Sequence, residues 1–345
     1  MKNVYVKTQQ AVDKVLCHDV TKIEKGGFKG ALFKKGHVIR EEDVEVLLNI
    51  GKQHIALIEL EPGELHEEEA GLRIVNAIQG PGLFTKGPSE GRYDLIAATK
   101  GLLKVNGACL YRINRIPKVV VSTLHNHTPV EEGQKVAGAK VIPLVVREKT
   151  IQKVEAVAST SFPLLSVLPY RKIRVGAVIT GREIYEARIA DGFGSVLAQK
   201  TAFFGLEAPS VTYAVDDREK VCAAILDHLS KDCGLILVTG GMSVDPDDVT
   251  PAGIKKTGAK IIKYGAPVLP GAMFMMAYRE DVPIIGVPAC AMYADTTILD
   301  LLLPRVLAGE IITASDIIRL GHGGLCRSCD KCIYPTCPFG KGSAS

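Results

Sequence analysis

Two short stretches hold most of the residues whose types and spacing could do chemistry. The first is CRSCDKCIYPTCPFG, residues 326–340, in which Cys326, Cys329, Cys332 and Cys337 follow C-x-x-C-x-x-C-x-x-x-x-C with Pro338 directly behind. Closing loops this short costs little chain entropy, so four thiolates can share one metal centre. The spacing is near the bacterial ferredoxin run, which has three residues before its last cysteine and the same following proline, and this points to an iron–sulfur cluster. A tetrahedral zinc site with four thiolate ligands competes with it, and spacing alone leaves both open. Arg327, Lys331 and Lys341 would offset thiolate charge, and GHGG at 321–324 gives a flexible lead into the tail.

The second stretch is LILVTGGMSVDPDDVTPAG, residues 235–253. Thr239, Gly240, Gly241 and Ser243 make a small-residue loop directly after an apolar run, offering amides and hydroxyls to a phosphate. Asp247 and Asp248 follow and can hold Mg2+ bridging protein and phosphate oxygens. Thr250 with Pro251 reads as a capped helix start. Two further loops share this character. Thr180 ends the run IRVGAVIT with Gly181 and Glu183 behind it, and Pro270 with Gly271, then Pro288, mark turns around PIIGVP. Cys17, Cys109, Cys222, Cys233 and Cys290 stand singly, and small buried apolar residues are their default reading.

Elements that could position these loops are visible as periodicity. The runs IRVGAVIT, APSVTYAV, LILVTGG and PIIGVP alternate with helical patterns near 192–205, 218–230, 251–258 and 292–308. Buried apolar strands alternating with helices predict an α/β fold, a three-layer mostly parallel sheet with helices on both faces. In such a sheet ligands bind at the carboxyl ends of the strands, where these loops lie. Upstream, REEDVEVLLNIG reads as a helix through Val44, Leu47 and Leu48, and HIALIEL as a strand. ELHEEEAGLRIVNAIQG reads as an amphipathic helix with Leu72, Val75 and Ile78 on its apolar face. Short β-like runs fill residues 93–157, suggesting an open barrel or sandwich, and SFPLLSVLPYRK reads as a linker. The expected domains are a small α+β region at 1–80, a β-rich unit at 81–166, the α/β domain at 167–312 and a Cys-rich metal-binding tail at 313–345.

The 345 residues, 47% of them hydrophobic, can bury a core in each part, and the 42 basic against 38 acidic residues leave a net charge of only +4. That is too weak a bias for nucleic acid as main partner. No stretch approaches the apolar run of a signal peptide or a membrane span, so no membrane partner and a cytoplasmic location are expected. In a reducing compartment clustered cysteines bind metal or do redox chemistry.

Together, TGGMSVDPDDVTPAG, TGREI and the PG turn resemble the molybdopterin-binding domain family of molybdenum-cofactor biosynthesis. That family includes molybdopterin adenylyltransferases, molybdopterin molybdotransferases and CinA-like nucleotide hydrolases, and the match covers about residues 173–310. The region from VDKVLCHDV to HIALIEL is similar to the N-terminal part of molybdotransferases. The resemblance implies that Thr180 and Gly181, with Glu183 and Asp191 nearby, line a site for molybdopterin or the molybdenum cofactor. Thr239 to Ser243 would hold the pterin or its phosphate, and Asp248 would contact magnesium or the reacting phosphate. Arg182 stands where the family has an acid or amide, Ala272 stands in place of its PGKP lysine, and Cys290, between Ala289 and Ala291, stands in place of its LPGNP asparagine. The implied function is cofactor biosynthesis, maturation or delivery, molybdotransferase-like if catalytic, in a homo-oligomer serving a molybdenum or tungsten enzyme. The alternatives are a CinA-like magnesium-dependent nucleotide pyrophosphate hydrolase and a non-catalytic cofactor or redox sensor.

Overall fold

A computed structural model describes residues 2–23, 29–89, 91–186, 188, 190–242 and 249–342. The chain folds as two compact units, one of residues 1–99, 104–124 and 131–167, the other of residues 100–103, 125–130 and 168–345.

In the first unit, Lys2–Lys7, His54–Glu59 and Val15–Leu16 form an antiparallel sheet beside helix Glu41–Asn49. Its core contains Leu16, Ile39, Leu47, Ile55 and Leu57; Val44 and Leu48 are only half-buried. Farther along, an antiparallel sheet runs Val119–Thr123, Lys135–Val141, Arg92–Ala97, Leu83–Ser89. Helix Glu67–Ile78 packs on strand Lys135–Val141 and on a second helix, Glu148–Ser159. Arg73 ties the two helices together, reaching Glu155 at 2.8 Å and Glu148 at 2.9 Å.

Three sequence expectations change here. The stretch 93–157 is strand-rich but also contains helices Gly107–Asn114 and Glu148–Ser159, which its β-like runs had hidden. Leu72 is 40% exposed; Ala70, Ile74, Val75 and Ile78 form the buried face of its helix. The expected linker contains strand Leu165–Pro169, whose Leu165 and Val167 are buried.

The second unit is built on a six-stranded sheet. Its elements in chain order are β1 (Arg174–Thr180), α1 (Phe193–Phe203), β2 (Ser210–Ala214), α2 (Arg218–Ser230), β3 (Cys233–Thr239), α3 (Thr250–Lys256), β4 (Lys260–Tyr264), β5 (Met275–Arg279), β6 (Val282–Val287), α4 (Ile298–Leu307) and α5 (Ala314–Arg319). The strand order is β2-β1-β3-β6-β5-β4, parallel across the first four and antiparallel through β5 and β4. The mostly parallel core therefore carries an antiparallel edge that periodicity had not revealed.

Strand alternation explains the layers. Leu235 and Leu237 of β3 enter one core with Leu197 of α1 and Leu299 and Leu302 of α4. Ile236 and Val238 enter the opposite core with Val221 and Ile225 of α2 and Ile254 of α3. A central strand buried on both faces reads as a continuous apolar run, and LILV is such a run. Met275 and Met276 split between the two cores as filler. Among the described residues, no helix is long and apolar enough to cross a membrane.

Candidate functional site

Register decides which loop residues stand together. Ile179 of β1 pairs with Thr239 of β3, and Thr239 pairs in turn with Val287 of β6. Parallel neighbours lie about 4.8 Å apart, so Thr180–Gly181, Thr239–Gly240–Gly241 and Pro288 leave the sheet side by side at its carboxyl edge.

The edge is tightly built. Thr180 and Thr239 are buried, and the Thr180 hydroxyl lies 3.4 Å from that of Thr250 at the start of α3. Thr250 is thus turned toward Thr180, and the N-cap position expected of it is held by Val249. Gly240 has φ +81°, and a Cβ there would come within 2.4 Å of the Thr180 carbonyl oxygen. Only glycine lets the β3 loop cross β1 this closely. The Thr239 hydroxyl, fully buried, has no hydrogen-bond partner among the described residues.

The other expected residues have partners of their own. Asp191 accepts hydrogen bonds from the Phe193 amide at 2.7 Å, the Gly194 amide at 3.0 Å and the Tyr213 hydroxyl at 3.1 Å, so its carboxylate organises the start of α1. Arg182 donates its amide to Asp216 at 3.0 Å. Gly271 approaches Ile298 at the start of α4, which places the Pro270–Gly271 turn at the same edge but beyond β6. Cys290 is half-buried, and burial pushes its thiol pKa up, away from the thiolate that would ligate metal. Ser243, Asp247 and Asp248 lie outside the described residues, as does the side chain of Glu183.

The family model described as "Probable molybdopterin binding domain" matches residues 176–308, the span that holds these loops. The domain over these residues belongs to the molybdopterin-binding family. A second model, a domain of unknown function named DUF8806, matches residues 5–59. A CinA-like protein of Syntrophus aciditrophicus is 30% identical over 92 residues, 26% of this chain and 22% of that protein. A molybdopterin molybdenumtransferase of Synechococcus elongatus is 20% identical over 176 residues, 48% of this chain and 44% of that protein. The chain thus spans less than half the length of these curated relatives. Among solved structures, the molybdopterin biosynthesis enzyme MoaB of Thermus thermophilus aligns at 16% identity and TM-score 0.33, over 40% of this chain and 98% of that one. CinA of Thermoplasma acidophilum aligns at 14% identity and TM-score 0.33, over 39% and 98%.

The cysteine tail is fastened to the same unit as the molybdopterin-binding domain. Leu269 donates its amide to the Gly324 carbonyl and accepts from the Cys326 amide, both at 2.8 Å, so the tail runs parallel to the segment leading into Pro270. Tyr334 donates to the Asp300 carbonyl of α4 at 2.9 Å, and Phe339 is buried in the core on that face. Cys326 and Cys337 are half-buried against this core, while Cys329 and Cys332 are exposed. All four line one pocket of about 310 Å³, which Pro270 and Tyr293 to Thr296, in the loop that follows β6, also line. Among the described residues, no three His, Cys, Asp or Glu side chains converge as a preformed metal site.

Thr250 and Thr296 are the residues that sequence reasoning passed over. Thr250 stood within the quoted motif, read as a cap; Thr296 carried no signal, because what marks it is a 3.1 Å contact with the sulfur of Cys332, thirty-six positions away.

Proposed function

We propose that the chain binds a molybdopterin-type ligand at the carboxyl edge of β1, β3 and β6 and acts in synthesis, maturation or delivery of the molybdenum cofactor. The observation that carries this reading is the buried Thr239 hydroxyl, left without a described partner at the end of the central strand of a molybdopterin-binding-type domain. A buried hydroxyl costs free energy until something bonds it, so a polar ligand group at that edge is favoured. Thr239 and the amides of Gly240 and Gly241 would hold the pterin or its phosphate. When bound, the ligand would supply a dithiolene for the metal and a phosphate for anchoring. Asp247 and Asp248 would hold Mg2+ beside that phosphate, with Asp248 the group that meets the reacting oxygen. The four thiols of the tail would hold an iron–sulfur cluster or zinc. A homo-oligomer and a molybdenum or tungsten enzyme as recipient complete the proposal.

The test begins with the full chain purified and oxidised to convert bound pterin to its fluorescent form. Pterin in the wild type, and weaker binding in Thr239→Val, support the reading. No pterin released and no binding of added molybdopterin would overturn it.

The match to a CinA-like protein favours a second reading, magnesium-dependent cleavage of a nucleotide pyrophosphate. Turnover of dinucleotides that needs Mg2+ and is lost in Asp248→Asn would select it; a carrier shows none.

A further inference from the structure

The tail is a loop clasped at its own base. Gly340 donates its amide to the Gly323 carbonyl at 2.9 Å, and Phe339 beside it is buried in the core that α4 helps to form. Residues 324–339, with all four tail thiols, therefore leave the domain and return to it at one place. Metal binding orders the chain that carries its ligands, so ligation by these thiols stiffens the clasped loop whichever metal it takes.

Two ties lead from this loop to the turns at the carboxyl edge of the sheet. At the first, Leu269 donates its amide to the Gly324 carbonyl and accepts from the amide of Cys326, itself a candidate ligand, both at 2.8 Å. Leu269 directly precedes the Pro270–Gly271 turn, so a shift of Cys326 is passed to that turn through main-chain bonds. At the second, the hydroxyl of buried Thr296 lies 3.1 Å from the sulfur of exposed Cys332. A free thiol can donate to that hydroxyl or accept from it, whereas a metal-bound thiolate can only accept. Ligation thus makes the hydroxyl the donor to a charged acceptor, a stronger bond than one between neutral groups.

Thr296 ends the loop that begins at Pro288, and this loop has its own internal bonds. Ala291 donates its amide to the Pro288 carbonyl at 3.0 Å, and Ala294 donates to the Cys290 carbonyl at 2.9 Å. A loop bonded in this way passes a displacement at Thr296 back toward Pro288, beside Thr239 and Gly240.

Resting on the readings of the tail as a metal centre and of the edge as a molybdopterin-type site, we propose that the two are coupled. The loaded tail holds the Pro270–Gly271 turn through Leu269 and the loop behind Pro288 through Thr296, and so favours ligand binding. Thr296 is a positioning residue in this scheme. The coupling is reciprocal: ligand at the edge tightens metal in the tail by the same factor.

The full chain with reduced thiols, with and without Zn2+, is titrated with a fluorescent pterin phosphate that lacks the dithiolene and so offers zinc no thiolate of its own. Affinity about fivefold or more tighter in the zinc-loaded protein is expected. Hydrogen exchange read without pterin should slow near Leu269 and at residues 289–296 on loading. Thr296→Val should keep its zinc and its pterin affinity in the metal-free state but lose most of the gain and the protection at 289–296, with Thr296→Ser restoring both. Equal affinity with and without zinc overturns the coupling and spares both sites. No pterin binding in either state overturns the ligand reading and the coupling with it, and failure to take up Zn2+ or, under anaerobic conditions, iron with sulfide does the same for the metal centre. The full gain retained in Thr296→Val overturns the role of Thr296.

Discussion

Replacing Gly240 with alanine tests whether the β3 loop is built around its close crossing of β1. The residue sits at φ +81°, where an L side chain costs about 1 kcal/mol. The added Cβ would also lie 2.4 Å from the Thr180 carbonyl oxygen and 2.5 Å from its hydroxyl. These are a backbone and a buried side chain, with no flexible end to swing away, and forced displacement of this kind adds about 1–3 kcal/mol. The expected loss is about 2–4 kcal/mol, read as a lower denaturant midpoint at unchanged slope. Gly205 supplies the control: φ is +75° there and nothing lies within 4 Å of an added Cβ. Gly205→Ala should therefore lose only the conformational part, about 1 kcal/mol, and leave molybdopterin binding alone. Gly240→Ala should weaken binding as well, since the shift moves Thr180 and Thr239. Equal stability losses in the two variants, with binding intact in both, would refute the close-crossing account.

Further outcomes follow from single contacts. Thr239→Val removes a buried hydroxyl without a described partner, so stability should hold or rise by about 1 kcal/mol while ligand affinity falls; a loss of stability in urea titration would show that the hydroxyl is already bonded within the protein. Asp191→Ala should cost about 1 kcal/mol as a lost helix cap with ligand binding kept, whereas normal stability with lost binding would move Asp191 into the ligand site. Burial lowers the pKa of the fully buried His228 below the ordinary 6.5. Above 6.5 the folded and unfolded states both leave it neutral; below it only the unfolded state takes the proton, so stability falls as pH drops from that value. Denaturation midpoints from about pH 7.5 to about pH 5.5 should decline less steeply in His228→Leu than in the wild type, and identical slopes would rule His228 out as a source of the decline.

The second unit was the more legible half of the chain. Its parallel strands are buried on both faces, so β1, β3 and β6 appear as apolar runs that need no alternation to be found. The first unit was harder. EKTIQKVEAVAS has Ile151, Val154 and Ala158 at helical spacing, yet its short apolar pairs blend with the β-like runs before it. In SFPLLSVLPYRK the flanking prolines masked a buried strand, and in the helix of Leu72 the apolar face is turned by one position from where the leucine suggested.

Sequence alone determined what depends on neighbours in the chain: the loop chemistry of TGG, the cysteine spacing and the strands that end in polar turns. Tertiary structure decided what depends on residues far apart. Strand register put Thr180, Gly240 and Pro288 abreast; helix capping engaged the Asp191 carboxylate with the Phe193 and Gly194 amides; and the tie of Leu269 to Cys326 brought the tail against the loop after β6. Local spacing states which atoms can share a metal or a phosphate. Where those atoms stand is set by hydrogen bonds and packing between segments that the sequence keeps dozens of residues apart.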